Sequence, residues 1–243
     1  NSKTEGALTF KTESFAVDSF SALLTHFVPY AENVQGSVEK LKLLWSNNGQ
    51  EVGLSGSGRL HTLTGTVVYD DYRVPVGLDG KLKFDKMSIV AESVDIEANG
   101  QKALAKGNID FTEMTNPSFV DFAVELRDFD LHQALQDIPV EGPIKGQVVL
   151  NGTKTALKVT GDIKAKSLLL LGRSIKDVDI PLTIQDDKIV VPNATASIGQ
   201  GSVNLAVEFG QQDKSVYAVL KANNADVGPL LGIEEELVLN GSL

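Results

Sequence analysis

Large apolar residues alternate with polar or small ones along most of this chain. In the stretch 202–209 (SVNLAVEF) every second residue from Val203 to Phe209 is apolar, and the stretch 177–184 (DVDIPLTI) follows the same rule. Because successive side chains of a strand point to opposite faces of its sheet, this alternation predicts strands with one apolar face. Such strands recur about every 8–12 residues, a spacing typical of all-β proteins.

Single-residue slips interrupt the alternation in two places. The apolar positions pass from even numbers at Leu82 and Phe84 to an odd number at Ile89, and back to an even number at Ile96. We predict turns or bulges near residues 85–86 and 92–93. Residue pairs typical of tight turns lie between other runs: Asn48-Gly49, Asp70-Asp71, Asp79-Gly80, Asn99-Gly100, Asn151-Gly152 and Asp186-Asp187.

A larger pattern occurs three times. Segments 18–23, 130–135 and 226–231 each begin with Asp and end, after four residues, with Leu. Each segment follows an alternating stretch and precedes a glycine that opens another: Gly36, Gly146 and Gly241. We therefore predict one continuous domain over residues 1–243, with internal repeats at about 7–111, 120–209 and 216–243, the last of them truncated. Arrays of this kind act through long surfaces more often than through catalytic pockets.

These three segments are the helical candidates. Asp18 can cap a helix, since its carboxylate accepts from the free amides of the first turn. That helix would carry an apolar stripe of Phe20, Leu23, Leu24 and Phe27. A shorter helix is expected after Asp130, ending at Pro139, and a single turn after Asp226. We expect such helices to cover the ends of a sheet.

Catalytic and metal chemistry finds no support in the sequence. The three histidines, His26, His61 and His132, stand at no metal-ligand spacing, and there is no cysteine. The glycine-rich stretch 53–58 fits neither a phosphate loop nor a nucleophile elbow. Adjacent carboxylates on strands or turns point apart, so they do not converge as acid and base. We predict no catalytic residues, no metal, no cofactor and no enzymatic activity.

Charge argues against nucleic acid as a partner, and hydropathy argues against a transmembrane segment. A net charge of −10 argues against binding of nucleic acid phosphates. No run of about 18 apolar residues is present, so we expect no transmembrane segment within the chain. The sequence begins at Asn1 and not at a methionine, and we expect it to be a piece of a longer protein.

Two arrangements could accommodate the alternating strands. One is a closed core in which two packed sheets hide their apolar faces from water. The other is an open groove whose aliphatic lining holds an apolar ligand. Aromatic residues make up only 6% of the chain, and the repeats suit a groove that extends along one axis. The predicted groove lining comprises Leu82, Phe84, Ile89, Ile96, Leu168, Leu170, Ile180, Leu182, Val203, Leu205, Val207 and Phe209.

The order of these features resembles the TamB/AsmA-like family of repeating β-groove proteins. The resemblance rests on the Asp-to-Leu segments with their flanking strands, on residues 144–163, and on residues 175–209 with their Gly-Gln-Gly step. It implies an all-β, elongated repeat array, an open half-pipe (a β-taco) with an apolar concave face and a few short helices. It also implies a periplasmic segment of an inner-to-outer-membrane bridge in a diderm bacterium, anchored to the inner membrane by a part outside residues 1–243.

The resemblance further implies that the groove shields phospholipid acyl chains, and that an outer-membrane β-barrel partner binds elsewhere on the longer protein. Two other functions stay open from the sequence. An assembly factor for outer-membrane proteins would bind a client strand at an open sheet edge by β-augmentation. A β-solenoid stalk would serve only as structure, with a filled interior.

Overall fold

The computed structural model describes most of the chain. The described residues are 6–17, 31–47, 52–69, 72–113, 116–135, 140–153, 156–210, 212 and 214–225. The helix predicted after Asp18 and the turn predicted after Asp226 lie outside them, as do Gly241 and the turn pairs Asn48-Gly49 and Asp70-Asp71.

Strands make up nearly all of the described chain, together with one short helix. Their bounds are β1 (Gly6–Ala16), β2 (Ala31–Asn47), β3 (Val52–Tyr69), β4 (Tyr72–Lys86), β5 (Ser88–Ala98), β6 (Gln101–Glu113), β7 (Asn116–Asp130), α1 (Leu131–Leu135), β8 (Val140–Glu141), β9 (Pro143–Thr153), β10 (Ala156–Leu170), β11 (Arg173–Gln185), β12 (Lys188–Ile198), β13 (Gly201–Gly210) and β14 (Val216–Asn223).

All of these strands belong to one open antiparallel sheet. Their order is β1-β2-β3-β4-β5-β6-β7-β9-β10-β11-β12-β13-β14, and the two-residue strand β8 pairs with β10. Each strand on this path therefore pairs with the next in sequence, apart from the short β8. The prediction of an all-β fold is confirmed, and the sheet is open, so the described strands do not form two packed sheets.

The two predicted slips are real features of the β4–β5 hairpin. Asp85 pairs with Ser88, and the two-residue turn between them begins at Lys86, whose φ is 55°. Further along, Lys81 pairs with Ser93 but Leu82 pairs with Ala91, so one extra residue bulges from β5. Because of this bulge, the apolar residues of β5 on both sides of it lie on the same face as the apolar residues of β4 that pair with them.

The turn predictions are only partly right. Asn99-Gly100 and Asp186-Asp187 do form two-residue turns, closed by the pairs 98–101 and 185–188. Asp79-Gly80 lies inside β4 and Asn151-Gly152 inside β9, so these two predictions are wrong. In β4 the alternation continues on both sides of the pair, and pairing with both neighbouring strands outweighs the local turn preference. In β9 the amide of Asn151 donates to Asp121 on β7 at 3.2 Å.

The helix predicted after Asp130 is present as α1. The carboxylate of Asp130 accepts hydrogen bonds from the backbone N–H of His132 at 3.0 Å and of Gln133 at 3.2 Å. This is the kind of capping that the sequence predicts for Asp18.

The chain divides into two compact units. Unit 1 comprises Asn1–Val124 with Asn151–Thr155, and unit 2 comprises Glu125–Leu150 with Ala156–Leu243. The buried cluster of unit 1 consists of small residues, Ala91, Val94 and Ala105. Unit 2 has a larger cluster around Ile144, whose side chain is 2% exposed, and this cluster also contains Ala165, Leu168, Ile175 and Val178.

Candidate functional site

An apolar cavity of about 450 Å³ lies in unit 2, on strands β8 and β10 to β14. All of its lining residues except one are aliphatic: Val140, Leu168, Leu170, Ile175, Val178, Ile180, Ala194, Thr195, Ala196, Ile198, Val203, Leu205, Ala218 and Leu220. We call it the unit 2 pocket. Its lining offers contact to an apolar ligand and few groups that could hydrogen-bond to a polar one.

Strand register places these side chains together. Leu205 on β13 pairs with Ala194 on β12 and with Leu220 on β14. Residues directly opposite each other on neighbouring strands share a face of the sheet. On the adjoining hairpin, Leu168 pairs with Ile175 in the same way. Large side chains face small ones across β12 and β13, which leaves room above the alanines.

The opposite face of the same strands is polar. Asn204 pairs with Thr195 and with Lys221, and Ser202 pairs with Asn223. Thr195, the exception in the pocket lining, therefore has its side chain on this polar face. Thr195 and Asn204 also help to line a second, smaller depression, of about 330 Å³, with Asp177 and Lys221. On β13, Leu205 thus has apolar partners on both neighbouring strands, and Asn204 has polar ones.

The predicted lining residues of unit 2 fall into two groups. Five of them line the unit 2 pocket: Leu168, Leu170, Ile180, Val203 and Leu205. The others continue the same cross-strand rows outside it: Leu182 opposite Gly161, Val207 opposite Val191 and Ala218, and Phe209 opposite Ile189 and Val216.

The four remaining predicted residues belong to unit 1. Phe84 pairs with Ile89, and Leu82 and Ile96 pack against the cluster of Ala91, Val94 and Ala105. These four side chains lie on one face of β4 and β5, as predicted. They are not among the residues that line the unit 2 pocket.

Several pocket residues were not singled out from the sequence. Ala194, Ala196, Ala218 and Leu220 are among the nine lining residues that the predicted set does not include, although the alternation at 216–222 already indicated a strand at the last two. Alanines carry a weak apolar signal, because they occupy exposed and buried positions alike. Only the strand register shows which large side chains face these alanines. Without it, the small volume of an alanine does not indicate a pocket.

Sequence reasoning also missed a charged cluster in unit 1. The Arg59 guanidinium donates a hydrogen bond to Asp79 at 2.9 Å, and His61 Nδ1 lies 3.4 Å from the other oxygen of Asp79. On its other side, His61 Nε2 lies 3.9 Å from a carboxylate oxygen of Glu39. These residues come from three strands and are distant in sequence, so only the strand register could have predicted the cluster.

The pKa of Asp79 is lowered from its ordinary value of 3.8, mainly because Arg59 donates a hydrogen bond to its carboxylate. Partial burial opposes this shift, whereas the Thr62 N–H, the charge of Arg59 and His61 add to it. A lowered pKa in the folded state gives stability that is present above the unfolded-state pKa and is lost as pH falls through the folded-state value.

We therefore expect Asp79→Asn to flatten the pH dependence of unfolding on the acidic side. Wild-type protein should lose this contribution below pH about 4, where the carboxylate becomes protonated, and the variant should lack it throughout. Urea unfolding midpoints measured at neutral pH and in steps below pH about 4 test this. If the unfolding midpoints of the two proteins fall equally steeply as pH is lowered, the assignment of this stability to Asp79 is wrong.

A cavity of about 610 Å³ in unit 1 has a mixed lining. Asp79, Asp95, Glu97 and Lys102 border it, together with apolar residues that include Leu78 and the predicted groove residue Ile96. Within the described part of the chain, no three His, Cys, Asp or Glu side chains are placed to hold a metal ion.

Comparison with known proteins gives no match: no family model, no curated protein and no solved structure is similar to this chain at a significant level. Across the described ranges, no helix has the length and apolar character needed to cross a membrane.

Proposed function

We propose that this chain is a non-enzymatic lipid-binding segment, in which an apolar groove on the open sheet shields the acyl chains of phospholipids. The observation that carries the proposal is the unit 2 pocket, with its aliphatic lining and the polar face behind it. An acyl chain needs apolar contact along its length and no hydrogen bonds, which is what such a lining offers.

The energetics favour this use of an apolar lining. Moving an acyl chain from a bilayer into water costs about 0.8 kcal/mol for each CH₂ group, or roughly a dozen kcal/mol for a common chain. A continuous aliphatic surface removes most of that cost, and no catalytic group is needed. Under the proposal, headgroups stay in water at the rim of the groove.

The second part of the proposal concerns unit 1, where apolar residues pair with each other across β4, β5 and β6. Leu82 pairs with Ala91, Phe84 pairs with Ile89, and Ile89 pairs with Ile109. We propose that these cross-strand rows line a groove within unit 1 as well. The small residues Ala91 and Ala105 on these strands are buried, and Leu82 and Ile96 pack against their cluster.

The biological setting is proposed from the family resemblance. It places the groove in the periplasm of a diderm bacterium, on a bridge protein anchored to the inner membrane outside this segment. An outer-membrane β-barrel would bind to another part of that protein. The open sheet and the aliphatic pocket are compatible with such a conduit.

Lipid occupancy tests the proposal. The 243-residue chain, purified without detergent from a host with two membranes, should retain phospholipid that native mass spectrometry detects. After delipidation it should bind a fluorescent fatty acid with saturation, and unlabelled phospholipid should compete. A delipidated protein that binds neither probe would overturn the proposal.

The strongest rival is an assembly factor that binds a client strand. It has support from the two edge strands, where Leu8 on β1 and Tyr217 on β14 are each 68% exposed. A free edge can pair with an extended peptide. Saturable binding of extended outer-membrane-protein peptides, unaffected by fatty acid, would favour this rival.

A further inference from the structure

The tip of the β10–β11 hairpin presents leucine where a turn normally presents a polar residue. Leu170 pairs with Arg173, so Leu171 and Gly172 form a two-residue turn, with φ of 52° and 76°. Two positive φ angles identify the turn type that favours Asn, Asp or Gly. In the other two-residue turns among the described strands, the first position holds Lys86, Asn99, Asp186 or Gly199.

Leu171 is also exposed in this unfavourable conformation. Its side chain is 61% exposed, and that of Leu169, two residues earlier, is 40% exposed. We call Leu169, Leu170, Leu171 and Gly172 the leucine tip. Neither the backbone conformation nor packing within unit 2 accounts for a leucine at position 171, which points to a role outside the folded chain.

Positive charge surrounds the leucine tip in an otherwise acidic chain. Residues 163–176 (IKAKSLLLLGRSIK) contain four cationic side chains and no anionic one, whereas the whole chain has a net charge of −10. Lys164 is held by Asp162 and Asp179. The other three, Lys166, Arg173 and Lys176, are exposed and form no ion pair with any described carboxylate. We call these three the flanking cations.

Among the described residues, two carboxylates adjoin the patch. Glu141 on β8 pairs with Leu169, and Asp177 follows Lys176 in sequence. The flanking cations outnumber them, and none of the three is neutralised by contact. The patch thus combines an exposed apolar point with free positive charge, the combination that binds the interface of an anionic bilayer.

We propose that the leucine tip docks onto the surface of an anionic membrane. Leu171 and Leu169 enter the boundary between headgroups and acyl chains, and the flanking cations contact lipid phosphates. The partner is a lipid surface because the patch joins exposed leucines to unpaired positive charge, which complements anionic headgroups. The inference does not depend on lipid binding in the groove.

Flotation of the 243-residue chain with lipid vesicles tests this inference. We expect binding to vesicles of equimolar phosphatidylcholine and phosphatidylglycerol, weaker binding to pure phosphatidylcholine, and loss of binding as salt is raised. Leu171→Asn should reduce the partition coefficient about ten-fold. Replacing any one flanking cation with Gln should reduce it roughly five-fold.

Leu171→Asn is chosen because it separates docking from folding. Asn suits the positive φ of this turn, so the variant should unfold at the same temperature as wild type or higher. The control is Leu157→Asn, at the other end of β10 from the tip, where the leucine side chain is 40% exposed. It should bind vesicles like wild type.

Three results would each overturn the inference. They are wild-type protein that ignores anionic vesicles, a Leu171→Asn variant that binds them as wild type does, and a control variant that loses as much binding as Leu171→Asn. Because Leu205→Asp blocks only the groove, it should leave vesicle flotation unchanged. A protein that binds fatty acid but not vesicles would contradict membrane docking alone. A protein that binds vesicles but not fatty acid would contradict the groove alone.

Discussion

Replacing Leu205 with aspartate is expected to weaken fatty acid binding by about 100-fold or more. The side chain of Leu205 lines the unit 2 pocket between Ala194 and Leu220. A carboxylate there would lose hydration whenever an acyl chain covered it, and no described cation lines the pocket to compensate. Fluorescent fatty acid titration of the delipidated protein measures the effect.

Asn204→Asp is the matched control for this prediction. The same charge is introduced one residue away, on the polar face, where Asn204 pairs with Lys221. Binding should match that of wild type. Ala218→Trp gives an independent check, since it fills the pocket without adding charge and should also weaken binding. Equal affinities for Leu205→Asp and Asn204→Asp would exclude β13 from the groove lining.

Gly146→Ala is expected to cause a large loss of stability. Gly146 lies in β9 with φ of 156°, and a Cβ atom there would be 2.1 Å from the carbonyl oxygen of Asp162 on β10. The substitution therefore imposes backbone strain and a collision with a paired strand at once. We expect the free energy of unfolding to fall by about 3 kcal/mol or more. Urea unfolding followed by circular dichroism measures it.

Gly172→Ala separates the two causes. Gly172 also has a positive φ, 76°, but a Cβ atom there would have no neighbour within 4 Å. This variant should lose only about 1 kcal/mol, the cost of the left-handed conformation. A loss as large as that of Gly146→Ala would show that strain and not strand contact dominates at position 146.

The repeat pattern singles out Gly36 and Gly146 but does not predict this constraint, and both glycines lie inside strands and not at their start. Gly36 and Gly146, both found by their place after an Asp-to-Leu segment, each have a positive φ. At Gly36, too, a Cβ atom would meet a strand backbone, 2.6 Å from the carbonyl oxygen of Thr62. Such close approach requires glycine, but it depends on which strands pair, and sequence repetition does not give the pairing.

Strand phase was predictable because period-2 alternation directly reports the two faces of a sheet. That is why Leu205 and Asn204 lie on opposite faces as expected, and why the slip at 92–93 appears as a bulge. Hairpin turns at Asn99 and Asp186 followed from local backbone preference. Where alternation and turn preference disagreed, at Asp79-Gly80, pairing on both sides prevailed.

The composition of the pocket was less predictable. The β12–β13 register shifts between Val191 and Ala194, where Pro192 lacks the N–H that a ladder needs. This shift determines which alanine faces Leu205. The division into two units was not expected either, since a continuous alternating pattern carries no information on how densely neighbouring strands contact each other.

Photocrosslinking from position 205, with position 204 as its control, tests the central claim most directly. A photoreactive amino acid is placed at each position in turn, in the longest natural form of the protein and in its own host. The account predicts lipid adducts at position 205 and none at position 204. Lipid adducts at both positions, or at neither, would contradict an acyl-chain groove on this face of the sheet.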